Sequence, residues 1–334
     1  FLPEGATLRI LAVEGKALLG PYTSADNNRH RQLWTAPLFA GEAINNTDFG
    51  PLQSFISINS TLDTRTGNGT SLDAAWIKWA GFTFGFHDSF FTFMGGGSDV
   101  ILTSVAGVDD KNIVWAYTAA FGNGLTASLS VEAPVNTRQN GVLAGNTYGG
   151  TRWPDVVANV KVAQAWGSAQ LMGAVHHNYG LNAPFVDKVG YAIGAGVKVA
   201  IPGLGSASDF AIQAAYARGA VKYVDPASPF ADFNGAGGQT TSWGVAAALN
   251  LGFTSQVGVG LSASYGNHEN AGARASVWTA MGDVTFKPVS GLQFRTGLEY
   301  RNEDFNAAVG VADRSELVGF FRVRVEKVLR TGVL

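Results

Sequence analysis

Residues of two kinds alternate along most of the chain, one apolar and the next polar or small. The cleanest stretch runs from Leu125 to Glu132, and its apolar face consists of Leu125, Ala127, Leu129 and Val131. Successive side chains of a β-strand point to opposite faces, so this period of two predicts strands whose two faces meet different environments. The chain is therefore expected to be all-β.

A tight turn joins this stretch to the one before it. Gly122, Asn123 and Gly124 form the turn, and residues 113–121 alternate in the same way on its other side. Two alternating runs separated by a short Gly-rich turn predict an antiparallel hairpin.

About 16 strands are expected over the whole chain. Most would be about 9–11 residues long, the length that a tilted strand needs to cross a bilayer. All 11 prolines except Pro37 fall outside the predicted strand interiors, as residues without a backbone N–H should. The predicted strands are 7–18, 31–45, 51–60, 72–80, 82–90, 112–121, 125–133, 156–163, 168–177, 189–200, 209–218, 241–251, 255–265, 276–286, 292–301 and 315–327.

The predicted connections alternate in length. Short ones are expected at 122–124, 164–167, 252–254 and 287–291, and long ones at 133–155, 178–188, 219–240, 266–275 and 302–314. Short periplasmic turns and long extracellular loops are typical of outer-membrane barrels.

Composition excludes several other classes of protein. The net charge is −2, with no basic domain that could bind nucleic acid, and there are no cysteines for disulfides, zinc–thiolate sites or thiol catalysis. No apolar run approaches the roughly 18 residues of a membrane-spanning helix. Glu4, Glu14 and Lys16 interrupt residues 1–20, so we expect that any export signal has already been removed.

The character of the two strand faces favours a membrane barrel over a soluble sandwich. The polar face is rich in Gly, Ser, Ala, Thr, Asn and Gln, which suit a crowded, water-filled lumen. Trp and Tyr residues near strand ends suit the aromatic girdles of a barrel, although in a sandwich the same residues would fill the core. These residues are Trp76, Trp79, Trp115, Trp153, Trp166, Trp243, Trp278, Tyr117, Tyr191, Tyr223, Tyr265 and Tyr300, and we assign Trp79, Trp115, Tyr117, Tyr191, Trp243, Tyr265 and Tyr300 to the girdles.

Four segments resemble the alphaproteobacterial general-diffusion porins, which are trimeric 16-stranded outer-membrane barrels. They are AGFTFGF (80–86), AYTAAFGNGLTASLSVEAP (116–134), TYGGTRWPDVVANVKVAQAWGSAQLMGAVHH (147–177) and KVGYAIGAGVKV (188–199). The resemblance implies one transmembrane barrel over residues 1–334 and a homotrimer in the bacterial outer membrane, in contact with lipid and lipopolysaccharide. It also implies passive diffusion of small hydrophilic solutes and ions.

The resemblance further implies that the third extracellular loop folds into the lumen and places acids opposite a basic wall. The matching stretch is about 91–111, where Gly95, Gly96 and Gly97 allow a tight backbone course. Its acids, Asp99, Asp109 and Asp110, are the candidates for the acidic side of the constriction. Asp109 and Asp110 would fit a solvated turn before the sixth strand almost as well, so Asp99, further into the loop, is the preferred candidate.

Basic candidates for the pore lining follow from the alternation. A charge that faces lipid costs several kcal/mol, so charges within strands are expected to face the lumen. This places Lys78, Arg295, Arg322 and Arg324 on the lumen face, with Arg9, Lys16, Arg29 and Arg31 as a second group.

Signals of an enzyme are weak. His176 and His177 with Glu132 or Asp187 could be imagined as metal ligands or as part of a hydrolase, but HExxH and GxSxG motifs are absent from the sequence. We interpret His176 as a lumen residue and His177 as a girdle or rim residue, and we expect no catalysis, cofactor or metal. The alternative function is a surface β-rich binding protein or adhesin without an open pore.

Overall fold

The computed structural model describes residues 6–19, 30–63, 67–94, 105–106, 111–140, 148–181, 185–205 and 207–329. Within these residues sixteen strands form one closed barrel, in which each strand pairs antiparallel with its neighbours in sequence and β1 pairs with β16. The strands are β1 (Ala6–Leu19), β2 (His30–Thr47), β3 (Gly50–Asp63), β4 (Gly67–Trp79), β5 (Phe82–Asp88), β6 (Lys111–Gly122), β7 (Leu125–Glu132), β8 (Asp155–Gln164), β9 (Gly167–Gly180), β10 (Val186–Ala200), β11 (Asp209–Arg218), β12 (Thr241–Gly252), β13 (Val257–Asn270), β14 (Ala273–Val289), β15 (Leu292–Phe305) and β16 (Arg314–Leu329).

The expected all-β barrel is confirmed. In β10, for example, Ala192 is buried on the inner face, whereas its neighbours Tyr191 and Ile193 are exposed on the outer face. The outer face of the described strands carries exposed apolar side chains, including Leu129, Leu171 and Leu261. A bilayer is the environment in which such a surface is stable.

Two expected long connections are wrong. β13 continues to Asn270 and β14 begins at Ala273, so Ala271 and Gly272 alone form the turn, with positive φ angles of 52° and 87°. Two central residues with positive φ match the twist of paired strands. The connection expected at 178–188 shortens to residues 181–185. Near these ends the outer face becomes polar, as at Asn267 and Glu269, so a paired strand resembles a loop in sequence.

The prolines of the described strands occupy tolerated places. Pro37 lies in β2 beside a register shift between Pro37 and Phe39, which is where a strand accommodates a residue that cannot donate to the ladder. Pro51, expected at the start of a strand, lies in β3 next to its first residue, and Pro288, expected in a connection, lies in β14 next to its last residue. Helical structure in the described residues consists of three 3-10 helices of three residues each, and none of these could cross a membrane.

The apolar core lies inside the barrel. Phe91, Met94 and Val105 from the β5–β6 loop (89–110) and Tyr223 and Val224 from the β11–β12 loop (219–240) pack together. They rest on small residues of the inner wall, which are Ala174, Ala192, Ala211, Ala215, Ala217, Ala246 and Ala248. We expected small inward residues to line a water-filled lumen, but on β9 to β12 these alanines are covered by loops. Short side chains leave the space that the loops fill.

Candidate functional site

The first limb of the β5–β6 loop, residues 89–94, runs along the inner wall. The backbone N–H of Phe90 donates to Oε1 of Glu132 on β7 at 3.0 Å, and Nδ2 of Asn159 on β8 donates to the carbonyl of Phe90 at 2.6 Å. Further along, the backbone N–H of Met94 donates to Oε1 of Gln213 on β11 at 2.8 Å. Side chains of the wall thus supply hydrogen bonds that an irregular buried backbone needs. The inward fold expected for this loop is present.

The second described part of the loop, Val105 and Ala106, returns to the same wall. The backbone N–H of Val105 donates to Oγ of Ser264 on β13 at 3.1 Å. Nε2 of Gln213 donates to the carbonyl of Ala106, so Gln213 bonds to both limbs of the loop. Sequence reasoning missed Gln213, and the available signal was a long amide on the inner face of β11 between Ala211 and Ala215.

Glycines of the wall allow this close approach. A Cβ at Gly196 on β10 would overlap the ring of Phe93, and a Cβ at Gly244 on β12 would overlap a methyl group of Val105. Asp99, Asp109 and Asp110, together with Gly95, Gly96 and Gly97, lie outside the described residues. The structure therefore locates the two limbs of the loop but not its predicted acids.

The inner wall formed by β15 and β16 is charged. Arg295 on β15 and Arg322 on β16 are paired in register and buried on the inner face. Arg324 is paired with Gln293 two positions closer to the β14–β15 turn. All three lie where the alternation places them. Lys16 is in register with Arg322 across the seam between β1 and β16.

Lys78 also faces inward, on β4. Its Nζ lies 4.4 Å from the ring centroid of Trp76, which is a cation–π contact. Trp76 stacks on Phe55 and meets His87 on the lumen side, so its grouping with the girdle aromatics is wrong. Of the second basic group, Arg29 lies outside the described residues, and Arg9, Lys16 and Arg31 are described only by their positions in β1 and β2.

A cavity of about 320 Å³ adjoins the charged wall inside the barrel, near the end with short turns. Its lining includes Asp283, Lys287, Gln293, Arg295 and Arg324. Oδ1 and Oδ2 of Asp283 accept hydrogen bonds from Nε and Nη2 of Arg295, each at 2.7 Å. The inner wall is thus asymmetric, with an Ala- and Gly-rich part covered by loops and a charged part beside a polar cavity.

The seven girdle candidates all face outward. On β10 to β15 they belong to a band with close ring contacts, in which Trp243 lies 5.6 Å from Tyr265 and Tyr300 lies 4.8 Å from Trp278. Tyr191 contacts Tyr216 in the same band. The remaining three lie on β4 and β6, and they are Trp79, Trp115 and Tyr117. Tyr223 is instead buried in the β11–β12 loop, which corrects its grouping with the girdle aromatics.

His176 and His177 lie on opposite faces of β9 and belong to separate ion pairs. Nδ1 of His176 lies 2.8 Å from Oδ1 of Asp155 on the inside, and Nε2 of His177 lies 2.8 Å from Oδ1 of Asp187 on the outside. Neighbouring residues on a strand cannot point into one site. Among the described residues, acids and histidines form no cluster suited to a metal ion.

Asp232 of the β11–β12 loop joins that loop to the β7–β8 loop (133–154). Its Oδ2 accepts hydrogen bonds from the hydroxyl of Tyr148 and the backbone N–H of Gln139, both at 2.6 Å. Its Oδ1 accepts from the backbone N–H of Val221 at 2.7 Å. Burial raises the pKa of Asp232, and the nearby His176 and Tyr148 offset this only in part.

Asp225 forms a second buried anchor for the same loop. Its Oδ2 lies 3.1 Å from Nε2 of His268 on β13 and 3.5 Å from Nη2 of Arg301 on β15. Burial alone would raise the pKa of Asp225, but the His268 hydrogen bond and the charge of Arg301 hold it below its usual range. Sequence reasoning missed this anchor because its members lie far apart in the chain.

These features define a class of protein. A closed antiparallel barrel with an apolar outer face, an aromatic band and an inward-folded loop is an outer-membrane barrel of the porin type. The chain belongs to the porin subfamily, whose family profile matches residues 23–319. This membership locates the protein in the bacterial outer membrane, and it points to a channel rather than an enzyme.

Comparisons with individual proteins agree with this family. Porin Omp2b of Brucella abortus is 32% identical over 141 residues, which span 36% of this chain and only 37% of the relative. The outer membrane channel DcaP of Acinetobacter baumannii superposes with a TM-score of 0.72 at 14% identity, over 98% of this chain and 99% of that one. OmpF of Salmonella typhi, solved with daunomycin, superposes with a TM-score of 0.62 at 10% identity, over 98% and 99% of the two chains.

Proposed function

We propose that the protein forms a water-filled channel for passive diffusion of small hydrophilic solutes and ions across the outer membrane. The observation that carries this proposal is the asymmetry of the inner wall. The β5–β6 loop packs on the uncharged part, while Arg295, Arg324 and Asp283 border a polar cavity on the other part. A polar interior behind an apolar outer face is the arrangement of diffusion channels.

The narrowest part of the channel would lie between the β5–β6 loop and the charged wall. Lys78, Arg295, Arg322 and Arg324 would form its basic side, and Asp99, Asp109 and Asp110 would form its acidic side. Charges of opposite sign across a narrow passage create a transverse field that orients dipolar solutes and biases the flow of ions. Diffusion of this kind requires no catalytic group.

The assembly proposed is a homotrimer surrounded by outer-membrane lipid and lipopolysaccharide. The trimer follows from family resemblance. Support for the lipid contact comes from the exposed aromatic side chains of the outer face, such as Trp115 and Trp243. Indole and phenol rings are enriched where a barrel meets the membrane–water interface.

Single-channel current across a planar bilayer in a salt gradient tests the channel. Detergent-purified protein should give stepwise ohmic openings, often in groups of three, and the reversal potential should report the ion preference. Heat-denatured protein in the same detergent is the control. Correctly folded barrels that give no openings would contradict the channel and favour the surface binding protein.

The acidic side of the constriction has its own test. Asp99→Asn should shift the reversal potential toward anions, because it removes a negative charge from the narrow passage. Asp187→Asn removes the same charge from the outer face, where Asp187 pairs with Arg152 and His177. Equal shifts in the two variants would mean that Asp99 does not act at the constriction.

A further inference from the structure

The β11–β12 loop also folds inward. Ala220, Val221, Tyr223 and Val224 are almost completely buried, and so are the charged side chains of Asp225 and Asp232. Extracellular loops are expected to expose polar residues to water. Burial of two carboxylates in one loop shows that its position is held by specific partners.

The two inward loops contact one another. The backbone N–H of Ala106 donates to the carbonyl of Val224 at 2.6 Å. The ring of Tyr223 lies 4.9 Å from the ring of Phe91, which is fully buried. Both described parts of the β5–β6 loop, the outgoing limb and the returning limb, therefore rest on residues 223–224.

Anchors on both sides of the barrel hold residues 223–224 in place. On one side the hydroxyl of Tyr223 donates to Oδ2 of Asp155 on β8 at 2.8 Å. On the other side Asp225 is bound by His268 on β13 and Arg301 on β15. Strands β8 and β15 lie on opposite flanks of β11 and β12, so the loop is held from both flanks inside the barrel.

We propose that the β11–β12 loop is a brace that sets the position of the β5–β6 loop, with Tyr223 as the positioning residue and Asp225 as its anchor. The effect on conduction rests on the proposed channel function, whereas the effect on loop position does not. A braced loop stays against the Ala- and Gly-rich wall and leaves the passage beside the charged wall open. When the brace is lost, residues 89–94 and 105–106 lose their support on residues 223–224, and the current through the passage becomes less steady.

Three variants test the brace in single-channel recordings. Tyr223→Ala removes the ring contact, and Asp225→Asn weakens the anchor without changing its shape. Both should increase transitions to lower current levels at least several-fold. Tyr223→Phe keeps the ring on Phe91 and loses only the hydrogen bonds of the hydroxyl with Asp155 and Thr137, so its recordings should stay closer to wild type than those of Tyr223→Ala.

His177→Gln is the matched control, because it disrupts a histidine–aspartate pair that lies between β9 and β10 on the outer face. Its recordings should equal those of the wild type. Unboiled electrophoretic mobility and β-sheet circular dichroism establish that each variant is folded. Folded Asp225→Asn protein with wild-type current levels and wild-type noise would overturn the proposal.

A second measurement reads the loop position without conduction. The chain contains no cysteine, so Val105→Cys introduces a single thiol at a fully buried position of the β5–β6 loop. With the brace intact, a charged methanethiosulfonate reagent should modify this thiol slowly. Adding Asp225→Asn should raise the rate at least tenfold, and adding His177→Gln should not. Equal rates in all three proteins would reject the brace even if the protein conducts no current.

Discussion

Arg295 and Asp283 face each other on neighbouring strands β15 and β14, and both carboxylate oxygens of Asp283 accept hydrogen bonds from the Arg295 guanidinium at 2.7 Å. Both side chains are almost fully buried on the inner wall. A guanidinium and a carboxylate joined by two parallel bonds form a strong, oriented pair. The pair offsets part of the cost of burying the Arg295 charge next to a narrow space.

Asp283 and Arg295 should be energetically coupled in the stability of the barrel. Asp283→Asn leaves the Arg295 charge buried without this partner, and loss of one partner of a buried pair costs about 3–5 kcal/mol. Asp283→Asn combined with Arg295→Gln should cost less than the sum of the single variants. Urea unfolding in lipid vesicles measures all three. Arg152→Gln, which breaks an exposed pair, should change the unfolding midpoint little, and additive single variants would contradict the coupling.

Gly196→Ala should disturb the β5–β6 loop, because the new methyl group would occupy the place of the Phe93 ring. Overpacking of this kind costs about 1–3 kcal/mol. Phe93→Ala in the same chain should relieve the overlap and recover part of the stability. Gly282→Ala on β14 is the control, since the nearest atom to its Cβ would be 3.5 Å away, which is an ordinary contact. The same loss in both glycine variants would show that loop contact is not the cause.

Asp232 and Asp225 should respond oppositely to acid. The pKa of Asp232 is raised, so the folded chain binds a proton at this carboxylate more readily than the unfolded chain does. The stability of the wild type relative to Asp232→Asn should therefore increase as the pH falls toward about 3.9. The pKa of Asp225 is lowered, so its stabilisation is present above about 3.9 and lost below that value.

Unfolding midpoints of wild type, Asp232→Asn and Asp225→Asn at several pH values between 7 and 3 check this. Asp232 faces Tyr148, His176 and the backbone amides of Gln139 and Val221. All of these groups are present in Asp225→Asn as in the wild type. Identical pH dependence in the two variants would contradict the assignment.

Leu261 and Ser262 are neighbours on β13 that face opposite environments. Leu261 is exposed on the outer face, and Ser262 faces inward. Leu261→Arg should destabilise the barrel by about 2–4 kcal/mol near the bilayer midplane, and Ser262→Arg should cost much less but alter conductance. Unfolding in vesicles and single-channel current separate the two effects. A larger stability loss in Ser262→Arg would mean that the faces are reversed.

The strands were predictable because their signal is local. Leu129 and Ser130 reveal two faces from adjacent positions, and the Gly122–Gly124 turn lies beside the strands that it joins. The turn at Ala271 and Gly272 was not predicted, because the strands extend there beyond the apolar band and both faces become polar. Resemblance to porins supplied the inward course of the β5–β6 loop, which alternation by itself does not indicate.

Alternation by itself determined that the strands have an apolar and a polar face, and it placed Arg295, Arg322 and Arg324 on the polar face, because a strand presents each residue to one of two faces. The small uncharged residues of the polar face and the resemblance to porins then indicated a barrel with its apolar face outside. Only the tertiary structure decided which small inward residues are covered by loops, that Gln213 bonds both limbs of one loop, and that Asp225 meets His268 and Arg301. These partners are separated by tens of residues in sequence. They come together only when the barrel closes, so no local pattern records them.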